Sequence, residues 1–216
     1  MIHLAMKSLH DAKRQLAVFS ENIGGLAAVE FAIILPLMLV TVFGTVGVTS
    51  LIAIDRKVTL IARTMSDLTS QSDMVTDDII NNQFFPIGDA MLTPYSAAKN
   101  PTSGGPLMAV ITEVYVDKNT GVARVQWSRA NAAGSSLVRS PGAPVDIPSN
   151  LIGKDAAGKV LPNQYFIMSE VSYEYAPSIL PGVVTRTLTE TTYTRPRKTS
   201  VYACVRLNGQ TACPTT

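Results

Sequence analysis

From Phe31 to Ile54 the chain carries no charged residue. A run of that length is enough to cross the hydrocarbon core of a bilayer, which takes about 20 apolar helical residues. The run limits the fold to a chain with one membrane-compatible helix and whatever soluble domain the remainder builds. Glu30 stands at its head, directly after Leu26-Ala27-Ala28-Val29 and before Phe31. A carboxylate there costs about 2.5–3.5 kcal/mol on insertion scales, so it needs a partner or a purpose. An ordinary secretory signal has an apolar core of about 7–15 residues ending in a small-residue cleavage site. This run is longer, and its far end, Leu51-Ile52-Ala53-Ile54-Asp55-Arg56-Lys57, offers no such site.

The bulk numbers narrow the function. With 216 residues, 18 basic against 16 acidic, the chain has room for one span and one modest domain and has no global field to attract nucleic acid. The two histidines, His3 and His10, both precede Gly25. A chain cut after Gly25 therefore lacks the residue that histidine-based hydrolases and imidazole metal sites require. No glycine-rich phosphate loop, contextual carboxylate pair or internal repeat is visible, so neither an enzyme nor a cofactor is expected. Cys204 and Cys213 flank the turn dipeptide Asn208-Gly209, and in an oxidising compartment they are expected to form a disulfide.

Apolar spacing continues past the uncharged run at Leu51, Ile54, Val58, Ile61, Met65 and Leu68. Steps of three and four predict that one helix runs from Leu26 to about Ser70, its far half packed on a domain core rather than in a coiled coil. Pro36 lies inside it and is expected to kink or loosen it. Residues 74–85 predict a short helix capped near Ser72 or Thr76, with Asp77 and Asp78 in its first turn. Leu107–Asp117 and Val122–Ser128, joined through Asn119-Thr120-Gly121, predict a hairpin. Residues 135–162 read as loop. Strands are expected over Phe166–Tyr175, Val183–Thr194 and Ser200–Leu207, with a turn at Ile179–Gly182. The fold class is α+β: a long helix laid on four or five antiparallel strands. Trp127 is expected as packing, Tyr173 and Tyr175 as a shared strand face, and Arg195-Pro196-Arg197-Lys198 as a solvated strand end.

Three separated stretches resemble one family. Gly25-Leu26-Ala27-Ala28-Val29-Glu30-Phe31-Ala32-Ile33-Ile34-Leu35-Pro36 is similar to the head of the TadE-like (TadE/TadG) proteins, minor pilins of the tight-adherence (Tad/Flp) pilus. Val125-Gln126-Trp127-Ser128 is similar to a strand of that family. Glu170 to Pro177, with Tyr193-Thr194-Arg195-Pro196-Arg197, is similar to its C-terminal strands. The resemblance implies a pilin-like precursor cut by a prepilin peptidase between Gly25 and Leu26, with Gly24 offering a second position. It makes Glu30, followed by Phe31, the fifth residue of the mature chain, and as the sole charge of the segment Glu30 is expected to pair with the new N-terminal amine of a neighbouring subunit. The expected organisation is a cytoplasmic leader 1–25, a transmembrane helix 26–54, an amphipathic extension 55–72 and a periplasmic domain 73–216. The implied partners are other pilins, the Tad inner-membrane assembly machinery, the peptidase and the lipid bilayer, and no nucleic acid. A single-pass anchored periplasmic binding domain that never enters a filament is the competing reading.

Overall fold

The computed structural model describes residues 23–95, 107–175, 185–197 and 204–214. The leader before residue 23, the turn at Ile179–Gly182, Lys198 and the first residues of the strand expected from Ser200 lie outside them. The chain divides into two compact units, Met1–Thr49 and Ser50–Thr216. Helix α1, Ile23–Ser70, contributes to both and continues through Pro36 as one element.

Within the first unit, every side chain described from Ala27 to Val46 is exposed. Thr41, Thr45 and Thr49 donate their hydroxyls to the carbonyls of Met38, Thr41 and Thr45. Such back-bonding leaves these hydroxyls satisfied on an otherwise apolar helix.

The second unit is built around the other half of α1. Ile54, Val58, Ile61 and Met65 are buried, with Leu51 and Leu68 packed beside them. The three-and-four stripe is therefore domain core, as its spacing predicts. It lies on a five-stranded antiparallel sheet, β2 Leu107–Val116, β3 Ala123–Ala130, β4 Pro144–Val145, β5 Tyr165–Tyr175 and β6 Arg186–Thr194, ordered β4-β3-β2-β5-β6. The helix-facing layer takes Ala109, Ile111, Trp127, Ile167, Val171, Tyr173 and Tyr175 from the strands. The opposite face buries Val114, Val116, Phe166 and Met168 under Ile147 and the partly buried Leu151, Ile152 and Val160 of the 135–162 connection. That connection reads as loop in the sequence, yet it covers a sheet face and supplies β4. Both faces of β2 are thus buried, and its polar Thr112 is held by the hydroxyl of Ser128 at 2.8 Å.

The segment after α1 departs from expectation. Met74–Val75 is not helical but forms β1, which pairs in parallel with β7, Arg206–Leu207. The helix starts only at Thr76, whose hydroxyl accepts from the Ile79 N–H. It proceeds as α2 Asp77–Ile79, a π-helical turn Ile80–Phe84 and α3 Phe85–Leu92. Ile80, Phe84, Phe85 and Leu92 join the α1 core. Local pattern favoured a helix from residue 74, but backbone pairing with a strand from the far end of the chain won those two residues. Asp77 and Asp78 do occupy the first turn, and Asp77 also pairs with Arg129 at 2.6 Å. Lys57 donates to the carbonyls of Met91 and Thr93 at the end of α3, tying it to α1.

Because Ile61 is fully buried at the centre of this layer, Ile61→Ala should lower the unfolding free energy by about 2–5 kcal/mol. Leu60→Ala on the exposed face next to it should cost far less. Denaturant titration of the two detergent-solubilised variants measures the difference.

Candidate functional site

The sequence-predicted site residues gather at the start of α1. Gly25 and Leu26 lie in its first turns, and a Cβ added at Gly25 would meet no atom within 4 Å. Glu30 is exposed and sits four residues after Leu26, one helical turn on, so both positions lie on one face. Phe31 is 60% exposed, and Val29, Ile33 and Leu37 are similarly open. An apolar helix surface of this extent in the described residues has no protein cover of its own. It needs lipid or other helices around it. The length and composition of α1 fit a single-pass membrane anchor.

Cys204 and Cys213 are joined as a disulfide, with Cα atoms 5.9 Å apart. The expected turn is present: Gly209 has φ of +93°, which a residue without Cβ enters at low cost, and the Gln210 N–H donates to the Leu207 carbonyl. Of the basic cluster, Arg195 and Arg197 are described, and both are exposed, as expected of a solvated strand end. Arg195 stacks over Phe166 and donates to the Leu151 carbonyl, while Arg197 pairs with Asp67 at 2.7 Å.

One constellation was missed in the sequence. Glu113 is fully buried, and its Oε1 accepts the Val205 N–H at 2.7 Å while its Oε2 accepts the Trp127 Nε1–H at 2.8 Å. Trp127 Nε1 also donates to the Val205 carbonyl at 2.8 Å, so both backbone groups of Val205 are held by the sheet. The strands are arranged for this. The β2–β3 register shifts between Glu113 and Val114, leaving Gln126 as the extra residue of a bulge beside Trp127. Gln126 Nε2 reaches Cys204 Sγ at 3.4 Å and Gln210 Oε1 at 3.2 Å. Period-two counting gives the signal: Leu107, Ala109, Ile111 and Glu113 share one strand face, which places the acid among core residues. The identity of its partner was not legible, because Val205 is remote in sequence.

Burial pushes the Glu113 carboxyl well above the usual carboxylate range, and the N–H donors of Val205 and Trp127 offset this only in part. The folded domain therefore holds a proton that the unfolded chain releases near pH 4.3. Stability should fall as pH rises above about 4 and level off past the raised value. Glu113→Gln should flatten that slope in denaturant titrations across this range. Replacing Cys204 and Cys213 together by serine should cost about 2–3 kcal/mol by loop-closure entropy, read by the same titration at one pH.

With this geometry in hand, comparison with protein families matches residues 25–64 to the family described as TadE-like protein. No curated protein and no solved structure matches the chain. The match opens at Gly25, takes in the exposed apolar half of α1 and ends within the stretch that packs on the sheet. Residues 25–64 are therefore similar to the TadE-like family, and that similarity points to the Tad pilus system in general terms.

Proposed function

We propose that the chain is a membrane-anchored pseudopilin, a minor pilin-like subunit that assists assembly of a Tad/Flp-type pilus and carries out no catalysis. The observation that carries this reading is an exposed Glu30 one helical turn after Leu26, at the head of an uncovered apolar helix that matches the TadE-like family. Cleavage after Gly25 creates an ammonium at Leu26. In a bundle of such helices, Glu30 of one subunit neutralises the Leu26 amine of the next, which offsets the cost of holding each in an apolar setting. A register that pairs the two charges is favoured over any that leaves both unpaired. The leader then lies in the cytoplasm, where prepilin peptidases act, and residues 55–216 lie on the periplasmic side. The disulfide and the absence of histidine after residue 10 are consistent with that compartment and with a structural role.

The test is the N-terminus and mass of the membrane-extracted protein, with and without an active prepilin peptidase. A peptidase-dependent start at Leu26 is expected, and an intact Met1 in both strains would leave only a plain anchored domain. In the processed protein, Glu30→Gln should reduce co-purification with other pilins while leaving cleavage and membrane extraction unchanged. Wild-type recovery of the variant in pilus complexes would refute the charge-pairing role.

A further inference from the structure

The two edges of the five-stranded sheet are unlike. At one, β4 is only two residues long. At the other, β6 runs from Arg186 to Thr194 in unbroken register with β5, and no described strand pairs with its outer side. Soluble proteins blunt long edges with charged side chains (lysine above all), proline, a bulge or a covering element. The β6 sequence Arg-Thr-Leu-Thr-Glu-Thr-Thr-Tyr-Thr contains no proline or lysine, its pairing contains no bulge, and its two charges, Arg186 and Glu190, both lie on one face. Its backbone is ready for an added strand.

The surroundings set the chemistry of such a strand. An open groove of about 390 Å3 lies between the last turns of α1 and the end of β6, lined by Arg63, Ser66, Asp67, Thr192, Thr194 and Arg197. Both oxygens of Asp67 are engaged, one by Arg197 at 2.7 Å and the other by Gln71 Nε2 at 2.7 Å. Ser66 and Thr194 bond to each other at 2.9 Å. Arg63 is exposed, and among the described residues no acid pairs with it. Arg186 shares a strand face with Thr192, is exposed and likewise has no acidic partner among the described residues. Glu190 lies between them on that face and disfavours an acid opposite itself.

We propose that the outer edge of β6 takes an extended segment of another protein, bearing acidic side chains opposite Arg186 and Thr192, the second of which meets Arg63. A second copy is a poor occupant on grounds of charge: β6 itself carries a single acid, Glu190, and so cannot offer one opposite each of Arg186 and Thr192.

The probe is a synthetic nine-residue threonine peptide with two glutamates six positions apart, titrated by fluorescence anisotropy against the full chain in neutral detergent micelles. It should bind at least about threefold more tightly than its lysine counterpart, and Arg63→Glu should reverse that preference. N-methylation of alternate backbone amides in the peptide should abolish binding. Equal binding of both peptides, indifference to Arg63→Glu, or no binding at all overturns the proposal, whatever the outcome of the N-terminal processing experiment. So does a disulfide-linked dimer of Leu188→Cys chains in liposomes, which would assign the edge to a second copy.

Discussion

Burial of Ile54, Val58, Ile61 and Met65 against the sheet is the contact on which the rest of the domain depends. These side chains belong to the helix that also carries the apolar head, so one element holds both the exposed apolar run and part of the core. Full burial of a side chain of this size contributes about 1.5–3 kcal/mol. The four together exceed what any ion pair at the surface supplies. The π-helical turn and α3 add Ile80, Phe84, Phe85 and Leu92 to the same layer. At Gly88 the packing is close enough that an added Cβ would stand 2.6 Å from the Met65 side-chain terminus. Both helical layers are thereby pressed onto one sheet face.

The other end of the chain is held by polar contacts rather than by area. Glu113 and Trp127 are opposite residues on β2 and β3, and together they pin both backbone groups of Val205. From there the chain enters β7, pairs with β1 and closes through the Cys204–Cys213 bridge. Tyr165 donates its hydroxyl to the Pro214 carbonyl, a further tie from the sheet. Burying a carboxyl is costly unless its oxygens are satisfied, and here each oxygen has a donor. The arrangement fixes where the C-terminal loop lies, a choice that apolar packing alone leaves loose.

On the sheet's other face a similar logic holds the 135–162 connection, which has little regular structure. Arg139 makes a bidentate pair with Glu170, and Gln164 clamps the backbone of Gly153 from both sides. Long connections of this kind usually lie on the surface and vary. Here Ile147, Leu151, Ile152 and Val160 roof the Phe166 and Met168 side of the sheet, so the connection acts as a third layer.

The sequence by itself determined the elements whose signals are local and periodic. The uncharged run, the three-and-four stripe from Leu51 to Leu68, the hairpin at Asn119-Thr120-Gly121, and the strands ending at Tyr175 and Thr194 all follow from spacing and turn chemistry. Residue spacing also placed Cys204 and Cys213 within reach of each other. The head motif Gly25, Leu26, Glu30 and Phe31 stands out in the sequence because Glu30 is the one charge between Gly25 and Ile54. Only the tertiary structure decided the contacts between residues far apart in the chain. It turned Met74–Val75 from helix to strand by pairing them with Arg206–Leu207, gave Glu113 its partner at Val205, and laid the 135–162 connection over a sheet face. The physical reason is that a backbone donor, a buried acid and an apolar surface each specify what they need, but not which remote segment will supply it. That choice is made when the chain closes its loops.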